Sequence, residues 1–512
     1  MNSKIFSATT IGIDAHLVDV EVDLAFGILG FNIVGLPDKA IKESKDRIKA
    51  ALKNSGLRLP QRLITVNLAP ADIKKEGVLF DLPIAIAILQ ASELIKLSSD
   101  FINETIFLGE LSLDGSIKTV RGVLPIAYSI NQHNKKRIVL PKGNIKEASL
   151  INGLEIIGVD NLVDLVAFLR GEKNIEKIIG NSNNFNINNK TIDLDFNQVK
   201  GQWQAKRALE IAAAGGHNIL FVGPPGSGKT MLAKRLPSIL PPLTFDDVIE
   251  TTKIYSVCGK LKENSILAAR PFRAPHHTIS QAGLVGGGTM PQPGEVSLAH
   301  NGVLFLDELT EFKRPTLEVL RQPLENKKVL ISRANTAVEY PSSFLLVVAL
   351  NPCPCGYFGD KTKNCTCSSK QIEQYLGKLS GPLLDRIDLH VTVPTIKYED
   401  LKSSALNEKS SRNIYLEVEK AVTIQNKRTP NLKNAHMSSD QVEKYCVLQK
   451  DAEDILKKAF EVLHLSMRGY HKVLKIARTI ADLDNKELIN KQHIQEAIIY
   501  RSFDQIFQKN NF

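Results

Sequence analysis

The segment LFVGPPGSGKTMLAKRL, residues 220–236, constrains this chain more than any other stretch. GPPGSGKT matches G-x-x-x-x-G-K-[ST] through Gly223, Gly228, Lys229 and Thr230, between the apolar run NILFV and the helical run MLAKRL. Strand, glycine loop and helix in that order are the context the motif requires, so this part of the chain is predicted to be α/β. Gly223, Pro224, Pro225, Gly226, Ser227 and Gly228 form the loop. Its glycines let backbone N–H groups turn inward around phosphate oxygens, and the following helix N-terminus adds a favourable dipole. In that arrangement Lys229 reaches the β- and γ-phosphates of a nucleotide, and the Thr230 hydroxyl ligates Mg²⁺.

A second apolar run, GVLFLDEL (302–309), ends in Asp307 and Glu308. Downstream of a phosphate loop, Asp307 is placed to hold Mg²⁺ and Glu308 to orient the attacking water. GTPases do not activate water with such a pair, so ATP is the expected nucleotide. FLLVVALNPC (344–353) is a third buried-strand candidate and ends at Asn351, whose amide can meet a γ-phosphate or the lytic water or can simply make a turn before proline. Phosphoryl transfer needs charge neutralisation. Two arginines are candidates, Arg386 in SGPLLDRIDLHVTV and Arg468 in LSMRGYHKVL, each also readable as a plain surface cation.

Four of the six cysteines crowd into CPCGYFGDKTKNCTC. Clustering of this kind does not suit a secreted disulfide framework. Cys353, Cys355, Cys365 and Cys367 form C-x-C-x₉-C-x-C, with Gly356 and Gly359 between the pairs to let the loop turn back. Four thiolates can close a tetrahedral zinc site with no open position, which excludes catalytic zinc. Reduced thiols and a redox switch are the alternatives. The formal net charge of +10 fits a nucleic-acid partner, but a Lys- and Asn-rich composition produces the same excess. No apolar run is long enough to span a bilayer and the start resembles no secretory signal, so a cytoplasmic protein with no membrane partner is expected.

Residues 1 to about 172 alternate strand-like and helix-like segments. LITVNLAP (63–70) reads as a strand. DKAIKESKDRIKAALKNSG (38–56) reads as a helix capped by Asp38, with Ile41, Ile48 and Leu52 on one face and Gly56 after its end. FDLPIAIAILQAS is a further helix candidate, and IFLGELSLDGSI (106–117) a hairpin turning at Asp114-Gly115. GNSNNFNINNKT (180–191) is the best linker candidate, and from 396 onward the pattern turns helical. His276 and His277 are adjacent in RAPHHTIS. On an extended chain their rings point to opposite faces, which favours a structural or inter-subunit role over joint chelation.

The phosphate loop, the Asp-Glu strand, the Asn strand, GPLLDRIDLHV and a helical-region arginine together resemble an AAA+ ATPase. RPFRAPHHTIS, GGGTMPQPGEVSLAHNGVLFLDEL and LRQPLENKKVLISRA narrow the resemblance to the ComM/YifB family of magnesium-chelatase-like AAA+ ATPases. VGLPDKAIKESKDRIKAALKNSG, ITVNLAPADIKKEG and GELSLDGSIKTVRGVLP extend it over nearly the whole chain. The resemblance implies a Lon-protease-like α+β domain over 1–175, an Asn-rich linker over 176–197, an AAA+ core with a parallel sheet and the Cys loop over 198–395, and a helical lid over 396–512. It implies that Lys229, Thr230, Asp307, Glu308 and Asn351 serve ATP and Mg²⁺, that Arg386 is an arginine finger and Arg468 the lid arginine. It further implies a homo-hexamer that drives DNA branch migration or unwinding as incoming DNA recombines in natural transformation, with recombination proteins as possible partners.

A Lon-type protease needs a Ser paired with a Lys. Aligning KKEGVLFDLPIAIAIL to the serine motif puts Asp81 in the Ser position, and GELSLDGSIKTVRGVLP puts Leu124 in the Lys position. A leucine cannot activate a nucleophile, so no protease activity is expected. Two inserts are candidate DNA-gripping loops: LVGGGTMPQPGEVS (284–297) and NKKVLISRANTAVEYP (326–341), the latter carrying Lys327, Lys328 and Arg333. Aromatic residues are sparse in both, which favours backbone contact over base readout. A metal-chelatase motor subunit and a remodeller of protein partners are the competing functions.

Overall fold

The computed structural model describes residues 2–75, 77–181, 194–261, 266–288, 291–333, 336–360, 362–395 and 409–501. Contacts divide the chain into two compact units: residues 1–188 with 245–268, and residues 189–244 with 269–512. Each is a mixed α/β structure with its own apolar core.

The first unit is built on a sheet of eight strands: β1 (Asn2–Ile11), β2 (Asp14–Ala25), β3 (Gly30–Val34), β4 (Leu63–Ala69), β5 (Thr105–Phe107), β8 (Arg137–Pro141), β9 (Glu155–Val159) and β10 (Lys177–Ile179). Their order is β10-β9-β8-β5-β1-β2-β4-β3. The short hairpin β6 (Glu110–Leu111) and β7 (Ile117–Lys118) turns at Gly115, whose φ is 86°. The hairpin expected over 106–117 is therefore shorter, because Ile106 pairs with Phe6 in the main sheet. The helix Lys39–Asn54 starts where Asp38 accepts the Ile41 N–H at 2.8 Å, and Ile41, Ile48 and Leu52 are fully buried. The helix Asp81–Ala91 is apolar on every side, as a helix enclosed by other elements must be, and it packs on β1, β2 and the Lys39–Asn54 helix.

The second unit carries a parallel sheet of β11 (Ile219–Val222), β12 (Phe272–Arg273), β15 (Val303–Leu306), β18 (Leu345–Leu350) and β19 (Leu389–Thr392), in the order β12-β15-β18-β11-β19. The runs ILFV, VLFL and LLVVAL are buried along their whole length. That is the signature of strands covered on both faces. Two antiparallel hairpins stand outside the sheet: β13 (Gly286–Gly287) with β14 (Gln292–Pro293), and β16 (Lys328–Arg333) with β17 (Thr336–Pro341). Tyr340 Oη donates to Pro291 O at 2.8 Å and ties one to the other. The C-terminal helices Ser411–Arg428, Ser439–Tyr445, Lys450–Val462, Met467–Leu483 and Lys491–Ile499 share one core with the sheet. Ser439–Tyr445 and Lys450–Val462 are separate helices, and Leu448 between them bridges Ile489.

The contacts divide the chain differently from the four-part expectation. Lys177–Ile179, placed in the linker, is an edge strand pairing with β9. Asp195, also placed there, binds the Arg235 guanidinium of the second unit through its carbonyl, beside Gln198 at the start of the expected core. Residues 182–193, which hold most of the Asn-rich segment, lie outside the described residues, as do 396–408 and 502–512. Residues 245–268, interior to the expected core, belong to the first unit. There the helix Phe245–Val257 lays Lys253 Nζ 3.5 Å from the centre of the Tyr128 ring and sends Ser256 Oγ to the Glu147 carboxylate.

Candidate nucleotide site

The site grows from the C-terminal ends of adjacent parallel strands, where open α/β sheets place their ligands. β11 lies between β18 and β19, and β15 flanks β18. Gly223 leaves β11 so close to β19 that a Cβ there would sit 2.1 Å from Val393 O, so only glycine fits. Gly226 and Gly228 adopt φ of 76° and 92°, and a Cβ on either would meet nothing within 4 Å. These glycines are required by backbone conformation, and they leave the concave side of the loop open. Gln202 braces the loop from behind, its Nε2 donating to Ser227 O at 3.2 Å and Pro394 O at 2.7 Å.

Lys229 opens the helix Lys229–Arg235 and is buried. Its ammonium donates to Gly223 O at 2.7 Å, Pro224 O at 2.9 Å and Asn351 Oδ1 at 3.1 Å. Burial pulls its pKa below the usual lysine value, while Asp307 and Glu308 pull the other way. Thr230 Oγ1 donates to Asp307 Oδ2 at 2.6 Å. The two groups expected to share Mg²⁺ therefore already face each other. Ser227 Oγ is buried without a hydrogen-bond partner. A glycine cradle, an unbonded hydroxyl, a buried ammonium and a hydroxyl–carboxylate pair fit a triphosphate with Mg²⁺.

Glu308 follows at φ 51°, with its side chain 58% exposed. It borders a cleft of about 640 Å³ that also takes in His277, Glu311, Asn351 and Tyr375. His277 Nδ1 lies 3.8 Å from Glu308 Oε2. The expectation that His276 and His277 point to opposite faces is overturned: their rings are 4.1 Å apart. The chain is not extended there, since Ile279 N donates to His276 O at 3.0 Å and closes a turn. Sequence reasoning missed the His277–Glu308 approach, which no local pattern encodes.

Arg386 and Arg468 are not brought to this cluster. The Arg386 guanidinium pairs with Glu325 and donates to Pro382 O, and its Nε has no hydrogen-bond partner. Its backbone is pinned by Asn218 Nδ2, which donates to Arg386 O at 2.9 Å. Arg468 is exposed in the first turn of the helix Met467–Leu483. The same helix reaches the Arg386 segment through Lys472, whose ammonium donates to Ile387 O at 3.1 Å and lies 3.2 Å from Asp388 Oδ1.

The four thiols do come together, every pair of sulfurs within 4.8 Å. Cys353 Sγ is 3.3 Å from that of Cys355 and 3.6 Å from that of Cys365. Tetrahedral zinc with Zn–S near 2.3 Å requires sulfur separations of about 3.8 Å, so the cluster fits that ion. Gly356 and Gly359 turn the loop at φ 85° and 78°. N–H groups of Tyr357 and Thr366 pull the Cys355 thiol down to about 5. At Cys365 the Cys367 N–H pulls down as well, but burial and the neighbouring sulfurs override it and push the thiol up to about 12.

Family models described as "Magnesium chelatase, subunit ChlI", "Subunit ChlI of Mg-chelatase" and "Magnesium chelatase, subunit ChlI C-terminal" match residues 195–401, 20–144 and 408–501. The chain is 44% identical to competence protein ComM of Haemophilus influenzae over 509 residues, 99% of this chain and 98% of that protein. It is 41% identical to YifB of Escherichia coli, with 98% of each chain covered. The chain belongs to the ComM/YifB family of magnesium-chelatase-like proteins. Over 147 residues it is also 30% identical to Lon protease 2 of Bacillus subtilis, covering 27% of this chain and 26% of that one. In this ComM/YifB chain no described helix is long and apolar enough to cross a membrane.

Proposed function

We propose that the chain is an AAA+ ATPase that works as a homo-hexameric DNA motor, promoting branch migration or unwinding while incoming DNA recombines in a competence pathway. One observation carries the ATPase reading: Lys229, Thr230, Asp307 and Asn351 meet at the ends of three parallel strands, with Glu308 beside them. The DNA reading draws on the name of the Haemophilus relative, competence protein ComM.

In this reading the backbone of Gly223–Thr230 holds the phosphates and Lys229 exchanges its carbonyl partners for β- and γ-oxygens. Thr230 and Asp307 hold Mg²⁺, which supplies charge neutralisation at those oxygens when bound. Glu308 accepts the proton of the attacking water, and Asn351 orients it. Arg386 serves a neighbouring subunit's site and Arg468 acts from the helical lid over 396–512. Residues 1–175 form a Lon-protease-like domain lacking the Ser/Lys dyad. The β13–β14 and β16–β17 hairpins, with Lys328 exposed on β16, grip the DNA backbone. Cys353, Cys355, Cys365 and Cys367 hold a structural zinc. Recombination proteins are the expected protein partners, and the cytoplasm the expected location.

The test is ATP turnover by the purified chain with and without forked or three-strand DNA. Stimulation by DNA supports the motor. Turnover indifferent to DNA leaves a chelatase-type or protein-remodelling ATPase. Glu308→Gln retains ATP binding and slows turnover by about 10²–10⁴-fold; near-normal turnover removes Glu308 from its role.

A further inference from the structure

The cysteine loop touches the phosphate loop. A Cβ on Gly356 would lie 2.5 Å from Pro225 Cδ and 2.9 Å from its Cγ, so bare backbone rests on the proline ring. Gly356 sits between Cys355 and Tyr357, and Asn351, which accepts from Lys229, is two residues before Cys353. A second strut runs through Asp360, which accepts from Thr395 Oγ1 at 2.7 Å. Thr395 follows Pro394, whose carbonyl takes the same Gln202 amide that holds Ser227 O.

The described residues between Asn351 and Ser368 form no helix or strand. Cys355 N donates to Cys367 Sγ at 3.4 Å, Phe358 N to Cys353 Sγ at 3.3 Å and Cys367 N to Cys365 Sγ at 3.4 Å. Backbone donors of this kind orient thiolate ligands around a metal. The four sulfurs lie within 4.8 Å of one another, and a cation bound among them gives the loop a common centre. With one, the two C-x-C pairs become a rigid knot that seats Gly356 on Pro225 and carries Asn351 to Lys229.

We propose that the four-cysteine site is a clamp on the phosphate loop: a bound thiophilic divalent cation fixes Pro225 and Asn351, and its loss weakens nucleotide binding. The clamp rests on the zinc and nucleotide readings given above, and its test separates the three. Full-length protein produced with zinc and kept reduced is assayed for metal by mass spectrometry and for affinity towards a fluorescent ATP analogue, before and after chelation. About one zinc per chain is expected, with affinity falling by about tenfold or more on chelation and returning on adding zinc back. Gly356→Ala keeps all four thiols and is expected to retain zinc while binding the analogue more weakly. This variant decides the matter if the chelated protein unfolds. Zinc-free protein with all six thiols titrating overturns the metal site. Zinc-loaded Gly356→Ala binding as tightly as wild type overturns the clamp but leaves the zinc standing. Zinc-loaded wild type that binds no nucleotide overturns the nucleotide reading and the clamp with it, leaving the metal site alone.

Discussion

Two polar clusters invite comparison, one in each unit. In the first, Asp81 opens the helix Asp81–Ala91 and is buried. Its carboxylate is held by Arg47, Nε to Oδ2 at 2.7 Å and Nη2 to Oδ1 at 2.9 Å, and accepts Leu111 N at 3.3 Å. Leu124 is fully buried, and its backbone N–H goes to Glu147. In the second unit, Ser227 Oγ is unbonded, Glu308 is more than half exposed, and Lys229 spends its donors on loop carbonyls and an amide, all neutral groups. Both clusters contain buried charge. One is closed on itself, and the other presents donors and acceptors to a cleft. The contrast separates buried charge closed on its own partners from buried charge that faces a cleft.

The sharpest way to break the comparison is at the second cluster. Lys229→Ala should abolish measurable ATP hydrolysis, a loss of at least about 10³-fold on the scale of phosphoryl-transfer contacts, with the melting temperature little changed; near-normal turnover would remove the site. Arg386→Ala should cost about 10³-fold in turnover while nucleotide affinity stays within a few-fold. A turnover loss that wild-type subunits partly restore in mixed assemblies would place its action in a neighbour's site.

At the first cluster the effect should fall on stability alone. Arg47→Ala strands a buried carboxylate and should cost about 3–5 kcal/mol of the first unit's stability by denaturant melts, with little change in turnover per folded chain. Burial pushes Asp81 up to about 6 despite the neighbouring Arg47. The folded state therefore holds this proton more tightly than the unfolded state, and the group's contribution to stability is lost as pH rises through about 6. The Arg47→Ala penalty should be largest near neutral pH and shrink as Asp81 takes up its proton in acid. A penalty independent of pH would mean that the carboxylate is not what Arg47 holds.

The smallest effect concerns DNA. Lys328 is exposed on β16 and shared with Glu339 at 2.7 Å. Lys328→Ala should make the slope of log affinity against log salt shallower by about 0.9 or less. An unchanged slope would remove this lysine from the DNA-contacting surface.

Much of this was legible without coordinates because it rests on neighbours in sequence. The Asp38 cap, the apolar face of Ile41, Ile48 and Leu52, and the three buried strands follow from local periodicity and local hydrogen bonds. The glycines of the phosphate loop follow from the conformations that loop must adopt. The Cys spacing foretold a cluster because four thiols within a short span have few other ways to be used. What stayed hidden is made of long-range pairings. The 245–268 excursion into the first unit is one, and the bridge between Leu448 and Ile489 is another.

By itself the sequence determined which residues can do phosphate chemistry and where several helices and buried strands lie, because those properties belong to residue types and short periods. Only the tertiary structure decided which of these groups meet: Thr230 with Asp307, Lys229 with Asn351, His277 with Glu308, Arg386 with Glu325, and Gly356 against Pro225. The physical reason is that each meeting is set by how the sheet orders its strands and closes its loops, and strand order is a property of the packed core rather than of any window of chain.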